Sequence, residues 1–530
     1  MDAKETIKEG KAVLGIELGS TRIKAVLIDR DNRPIAQGAH EWENQLVDNL
    51  WTYSIDAIWS GIQDCYSDLR KSVKEQYGIE IETVASIGVS AMMHGYMPFG
   101  KDGEILVPFR TWRNTNTGKA AAELSSLFDY NIPLRWSISH LYQAIQNKEK
   151  HVGKIDFLTT LAGYIHWQLT GCKVLGIGDA SGMLPVDSST KNYSQRMIDA
   201  FDELVAPYGF SWKLTDILPK ILLAGEDAGT LTSEGAKKLD VSGNLRAGIP
   251  LCPPEGDAGT GMVATNAVKQ RTGNVSAGTS SFSMIVVENE LSKPYEVIDM
   301  VTTPDGSLVA MVHCNNCTSD LNAWVSIFRE FQTLMGMETD MNELYGRLYN
   351  HALSGDTDCG GLLSYNYFSG EPVTGLEEGR PLCVRTVGDK FNLANFMRAH
   401  LFGAVAVLKI GNDILFKEEK IKVDRITGHG GFFKTKAVGQ RVLAAALNSP
   451  ISVMETAGEG GAWGMALLAS YLVNNPEEKN LPDYLDQVVF GNNTGSSISP
   501  TAEEVEGFNR YIETYIAGLP IEKAAVKYKK

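Results

Sequence analysis

The sequence predicts an α/β protein made of two domains. One reason is length: 530 residues is about three times a typical single domain. Another is a repeated local grammar, in which strand, small polar turn and strand follow one another at residues 12–29 and again at residues 272–288. The third is that stretches of helical periodicity alternate with short apolar strands, as neither a helical bundle nor a β-sandwich requires.

Taken in order, AVLGIEL (Ala12–Leu18) and IKAVLID (Ile23–Asp29) read as a hairpin. Apolar residues at helical spacing follow from Trp51 to Tyr77, and VASIGVS (Val84–Ser90) reads as a buried strand. The second hairpin is TGNVSAGTSSFSMIVVE (Thr272–Glu288). A helical pattern from Asn392 to Phe416 then leads into DRITGHGG (Asp424–Gly431), a short strand with a glycine-rich turn and a helix expected from about Lys436. The domain boundary is expected just after the GDAGTG segment. This gives an N-terminal domain over 11–266, a C-terminal domain over 267–520 and an exposed tail over 521–530. Two halves that each open on a hairpin suggest an internally duplicated fold with a nucleotide between the halves.

Composition narrows the partners. With 43% hydrophobic, 21% charged and 9% aromatic residues, the chain has the make-up of a soluble globular protein. A net charge of -15 argues against nucleic acid as a partner, because duplex binding relies on basic patches. The N-terminus lacks an apolar leader segment, and the longest clean apolar run, Ala462–Val473, is too short to span a bilayer. A cytoplasmic protein without a membrane partner is therefore expected. Seven cysteines in so long a chain fit free thiols. The close pair Cys314 and Cys317 lacks a second pair at zinc spacing and is read as structural.

Several short segments carry chemistry. Gly19-Ser20-Thr21, the first hairpin turn, offers consecutive N–H groups and hydroxyls that can form an anion nest, although an ordinary turn uses the same letters. Glu17 stands inside an apolar strand, where an ionised carboxylate is costly unless paired or near a cation. If it faces a cleft it can hold hydrated Mg²⁺ beside phosphates. Asp257 lies among glycines in PPEGDAGTG and is a candidate general base; a helix N-cap role accounts for it equally. Ala277-Gly278-Thr279-Ser280-Ser281 is a second small-residue turn. Gly428-His429-Gly430-Gly431 and Glu459-Gly460-Gly461-Ala462-Trp463-Gly464 offer glycine platforms for a base or phosphate, with helix packing as the alternative. His94, in Met92-Met93-His94-Gly95 after a buried strand, can donate to a polar substrate or be structural.

In this order and across nearly the whole chain, these segments resemble the FGGY family of carbohydrate kinases, within the actin, heat-shock ATPase and hexokinase superfamily. The family's opening G-I-D-L-G-T-[ST]-x-x-K is matched by Gly15–Lys24, with Glu17 where Asp is usual. Met92–Gly95 resembles the xylulokinase Q-M-H-G, while Leu169-Thr170-Gly171 and Asp179-Ala180-Ser181-Gly182 match L-T-G and D-A-S-G. Asp257 falls at the family's catalytic Asp. Gly278-Thr279-Ser280 matches its G-T-S turn, and Asn395–Ala399 its second signature helix. The adenosine region is matched by Gly430–Thr435, Ser449-Pro450-Ile451 and Glu459–Gly464. Where many members carry W-x-D-x-R, this chain has Trp112-Arg113-Asn114-Thr115-Asn116, which removes a charged pair from the expected sugar pocket.

The resemblance implies two actin-like (ribonuclease H-like) domains flanking a catalytic cleft, and transfer of the γ-phosphate of ATP to a ketopentose of the xylulose or ribulose type. It implies Asp257 as general base, and Met93, His94, Trp112, Asn114 and Asp257 as sugar contacts. Gly19, Ser20, Thr21, Lys24, Gly278, Thr279, Ser280, Gly430, Gly431, Lys434, Gly460 and Gly461 are implied for ATP, with Glu17 and Asp257 for Mg²⁺. Its partner is then a small-molecule sugar, and a homodimer is compatible with it. The alternatives are a kinase for another sugar or polyol of the family, or a non-catalytic sugar-sensing ATPase of the superfamily.

Overall fold

The computed structural model describes residues 2–454, 460–491 and 495–528. Glu459 of the second glycine platform and Lys529 and Lys530 of the expected tail lie outside them. The chain divides into two compact units. Unit 1 comprises Met1–Lys269, Glu288–Val309 and Glu459–Asn492; unit 2 comprises Gln270–Val287, Ala310–Gly458 and Asn493–Lys530. The single cut expected at 266/267 therefore does not describe unit 1, which regains two later segments.

Unit 1 is organised on five strands: β1 (Val13–Leu18), β2 (Arg22–Ile28), β3 (Pro34–Glu41), β4 (Ser86–Ala91) and β5 (Glu255–Gly256). Their order is β5-β4-β1-β2-β3. The hairpin β1–β2 and the pair β2–β3 are antiparallel, whereas β4 joins β1, and β5 joins β4, in parallel. One face of this sheet is covered by α1 (Ile55–Tyr77), which starts where the Ser54 side chain accepts from Ala57 N and ends on left-handed Gly78. Its Ile58, Ile62, Leu69 and Val73 fall at helical spacing and are buried.

Two further helices matter for the site: α2 (Leu161–Thr170) and α3 (Asp257–Ala264), the latter leaving directly from β5. The helix α4 (Gly460–Val473) comes from the far end of the sequence and lies on β1 and β4. Gly15 and Gly88 are register partners on these strands. A Cβ on Gly15 would stand 2.2 Å from Ala462 O and 2.4 Å from Ala466 N, and one on Gly88 would stand 2.7 Å from Met465 Cε. The two glycines make a flat place on the sheet that admits the helix backbone. That approach is why residues near 460 belong to the N-terminal unit.

Unit 2 repeats the same beginning. Its strands β6 (Thr272–Ala277), β7 (Ser281–Val286), β8 (Leu308–Cys314), β9 (Arg425–His429), β10 (Ile451–Val453) and β11 (Ser496–Ile498) run in the order β8-β7-β6-β9-β10-β11. As in unit 1, an antiparallel hairpin is extended by two parallel strands. The buried helix Leu393–Asp413 is capped by Asn392, whose side chain accepts from Asn395 N. Leu393–Glu418 is long and apolar enough by composition to cross a membrane, and 78% of its apolar window is buried inside the fold. Among the described residues this is the one helix that meets that test; it carries Arg398, Lys409 and Asp413, unlike the uncharged run Ala462–Val473.

In the segment expected as an exposed tail, Ile521, Lys523, Ala524, Lys527 and Tyr528 are exposed and Glu522 is buried. Helix Ala502–Tyr528 runs through Pro520 and includes most of this segment, with Glu522 fully buried and accepting from Arg380 N. The helix after the glycine-rich turn begins at Val438, preceded by a short 3₁₀ turn, Gly431–Phe433.

Candidate active site

Unit 1 gathers carboxylates at the end of its central strands. Glu17 is the penultimate residue of β1, opposite Lys24 on β2 and Ser90 on β4. Its side chain reaches the first turn of α4, where Oε2 accepts from Ala462 N at 3.1 Å. Gly461 makes the room: a Cβ there would lie 2.1 Å from Glu17 Oε1. A carboxylate at a helix N-terminus is favoured by the exposed N–H groups and the helix dipole. Burial nevertheless dominates and, with the charge of Asp257, raises the Glu17 carboxyl to about 7, while the Ala462 N–H and Lys24 act the other way.

Asp257 is the first residue of α3, with Gly256 in the N-cap position. It therefore stands inside the helix, and the N-cap alternative for this residue does not hold. Its Oδ1 accepts from Met93 N at 3.2 Å, which ties the carboxylate to the turn after β4. Burial raises this carboxyl to about 6, against the backbone N–H groups of Met93, Ala258 and Asp257 itself. Met93 packs where a Cβ on Gly256 would be 2.2 Å from its Cγ. His94 has a φ of +68° and Gly95 one of +91°, so the chain turns sharply here. The His94 ring stacks on Trp136, and its Nδ1 lies 3.0 Å from Gly182 O. A carbonyl only accepts, so Nδ1 carries a proton.

The Gly19–Thr21 turn is held by aromatic donors. Trp42 Nε1 donates to Gly19 O at 2.8 Å, Tyr53 OH to Ser20 O at 2.6 Å, and Trp112 Nε1 to Ser20 Oγ at 3.1 Å. Trp112, expected on the sugar, is thus built against this turn. Asn114, also expected on the sugar, holds the backbone together instead. Its Oδ1 accepts from Trp51 N, and its Nδ2 donates to Trp51 O and Thr111 O. Both amide protons are thus donated to backbone, and Asn114 braces the Trp51 and Thr111 segments against each other. Gly460 opens α4 with a φ of +73°, while Gly461 serves the Glu17 carboxylate as described.

In unit 2 the Gly278–Ser280 turn joins β6 to β7, with Gly278 N donating to Ser280 O. Gly278 O accepts from both the N–H and the hydroxyl of Thr318, and Thr279 O from Cys317 N. The pairing of Ser276 with His429 brings Gly430 beside this turn, where a Cβ would lie 2.5 Å from Ala277 O. Gly431 begins the 3₁₀ turn and Lys434 follows it, exposed.

The structure adds four residues to which the sequence assigns no role. Glu255 and Asp179 are buried, and Thr160 Oγ1 donates to Asp179 Oδ2 at 2.6 Å. Glu255 accepts from Gly178 N and Asp179 N at 3.2 and 2.9 Å. Burial raises Asp179 to about 7, with the Asp257 charge adding to it, and Glu255 to about 8, with the Asp179 charge adding to that. Gly182 holds His94. A signal for three of them lies in the sequence: Glu255 is an acid in the same glycine-rich segment as Asp257, and Asp179 and Gly182 bound the D-A-S-G match.

A model described as the FGGY family of carbohydrate kinases, N-terminal domain, matches residues 12–263, and its C-terminal counterpart matches residues 273–473. The chain belongs to the FGGY family of carbohydrate kinases. A curated FGGY relative, the xylulose kinase of Lactococcus lactis, is 20% identical over 477 residues, 87% of each chain. The match to the Escherichia coli xylulose kinase is 23% identical and spans about half of either protein, 54% of this chain and 56% of that one. Among solved structures, the ligand-bound xylulose kinase of Lactobacillus acidophilus superposes with a TM-score of 0.78 at 19% identity, covering 98% of this chain and 99% of that one. A gluconate kinase from the same organism reaches 0.77 at 19% identity, covering 97% and 98%. The α/β fold of this FGGY kinase, two units each opening on a hairpin, is that of the family.

Proposed function

We propose that this FGGY kinase transfers the γ-phosphoryl group of ATP to a hydroxyl of a ketopentose of the xylulose or ribulose type. The observation that carries the reading is Asp257: a carboxylate at the start of α3, bonded to Met93 N and raised to about 6. A base poised near neutrality can take the proton of an attacking hydroxyl and remain ionised before it does so. His94, with Nδ1 donating to Gly182 O, brings its ring to the same turn as a polar contact for a sugar hydroxyl, and Met93 supplies the apolar wall beside it.

Phosphoryl transfer asks mainly for positioning and charge stabilisation. Aromatic donors hold the carbonyls of Gly19 and Ser20 and Gly19 N donates to Arg22 O, so the N–H groups of Ser20 and Thr21 are the ones this reading gives to an anion. Gly278, Thr279, Ser280, Gly430, Gly431 and Lys434 hold the nucleotide in this reading, and Gly19, Ser20, Thr21 and Lys24 the transferred phosphate. Among the described residues no group of three or more metal-ligating side chains is present. Mg²⁺ does not need one, since it keeps several waters and binds through one or two carboxylates and the substrate phosphates. Glu17 and Asp257, two buried carboxyls close enough for the charge of Asp257 to raise Glu17, suit such a cation. When bound, it supplies neutralisation of phosphate charge.

Sugar-dependent ADP release across xylulose, ribulose, gluconate, glycerol and hexose controls tests the assignment. The ketopentoses should give the highest kcat/KM. A preference of tenfold or more for gluconate or glycerol would reassign the substrate, and no sugar-dependent release with any of them would leave only nucleotide binding.

The pH profile supplies a second test. Asp257 and Glu17 act as carboxylates, and their raised proton affinities mean that acid removes the active form unusually early. Between pH 8 and 5, kcat/KM should fall on the acid side with an apparent midpoint near 6 to 7, belonging to the pair rather than to either residue. A flat profile down to pH 5 would contradict it.

A further inference from the structure

The geometry points to Glu255 as a positioning residue that locks the base Asp257 and the sugar-facing turn at His94 into one closed ring. The inference rests on the kinase reading for what Asp257 and His94 do. The ring itself is independent of that reading.

It can be followed bond by bond. Asp257 Oδ1 accepts from Met93 N at 3.2 Å, and Met93 is covalently joined to His94. His94 Nδ1 donates to Gly182 O, and Gly182 N donates to Asp179 O, each at 3.0 Å. Asp179 N donates to Glu255 Oε2 at 2.9 Å. Glu255 is two residues before Asp257 in the chain, which closes the ring.

The Glu255 carboxylate is seated in a recess built for it. A Cβ on Gly176 would stand 2.3 Å from Oε1, and one on Gly178 would stand 2.5 Å from Oε2. Gly178 N donates to Oε1 as well. No bulkier backbone position could bring both amides onto the carboxylate. The far side of the ring is anchored too: Thr160, the residue before α2, donates to Asp179 Oδ2, and Ser181 Oγ accepts from Thr302 N. Glu255 and Gly256 pair with Ser90 and Ala91, so the same short strand sits beside the one that leads to Met93 and His94. Neither the base nor the histidine can shift without breaking a bond in this circuit.

Glu255 is fully buried with both carboxyl oxygens taken up by backbone amides, so its effect passes through geometry. Misplacing a reacting group by about 1 Å costs on the order of 10²-fold in rate. Glu255→Ala should therefore lower sugar-dependent kcat by about 10²-fold and leave the ATP Kd within twofold. Glu255→Gln keeps the shape and one acceptor oxygen and should fall between the two. The ring also has a signature that needs no turnover. The His94 Nδ1 proton, bonded to a buried carbonyl, should give a slowly exchanging downfield resonance, assigned by its loss in His94→Gln. It should be present in the parent protein, weakened in Glu255→Gln and absent in Glu255→Ala.

Turnover within twofold of the parent, with this resonance intact in either Glu255 variant, overturns the inference. If Glu255→Ala does not fold, Glu255→Gln decides alone on the same two readouts. If the parent shows no sugar-dependent turnover, the kinase reading fails, and the resonance still decides whether Glu255 holds the ring.

Discussion

Asp257→Asn should abolish sugar phosphorylation while leaving ATP binding intact. General-base catalysis contributes roughly 10² to 10⁴, and an amide cannot take the proton, so kcat should fall by about 10³-fold with ATP Kd within a factor of two. The amide can still accept from Met93 N, so the turn should keep its place. The same variant should melt at a higher temperature above pH 7. Burial lifts the Asp257 carboxyl from 3.8 to about 6, so the folded state binds this proton more tightly than the unfolded chain does. Its contribution to stability is then most favourable below about pH 4, declines as pH rises through 6, and is a net cost above that. Removing the charge lifts that cost, and a Tm increase of a few degrees for the protein without ligands at pH 8 is expected. Near-normal turnover in Asp257→Asn would rule out the base.

Glu17→Gln should change how turnover depends on Mg²⁺. The parent carboxylate accepts from Ala462 N and senses the Asp257 charge, an arrangement in which a cation would relieve repulsion. With the amide, the Mg²⁺ concentration for half-maximal turnover should rise on the order of tenfold, with a similar fall in kcat. Saturating Mg²⁺ should recover part of the loss. Gln preserves the length that Gly461 accommodates, so a folding defect is not expected. An unchanged Mg²⁺ dependence would return Glu17 to a purely structural place on α4.

These two residues were legible because their surroundings in the sequence are anomalous. Glu17 breaks an apolar strand, and Asp257 stands among glycines. The duplicated hairpins announced the α/β class in the same way, through patterns that act over a few residues. What could not be read depends on partners distant in the chain. Nothing local distinguishes the role of Glu255 from that of Asp257; the difference comes from Gly176 and Gly178, about eighty residues earlier. Asn114 looks like a sugar ligand, and only the fold shows its amide tied to the Trp51 backbone. The C-terminal segment, ending KAAVKYKK, looks like an exposed tail, and only the fold shows Glu522 buried and accepting from Arg380 N.

The flat place formed by Gly15 and Gly88 has a consequence for the order of events during synthesis. Strand β1 leaves the ribosome long before the helix that covers it, which begins at Gly460. At roughly 5–20 residues per second, strand β1 waits roughly 20 to 90 seconds with one face bare and Glu17 lacking the amide of Ala462. Domains usually finish in the order in which they emerge. Here the N-terminal unit must finish late, and the gap exposes an apolar sheet that chaperones are suited to shield.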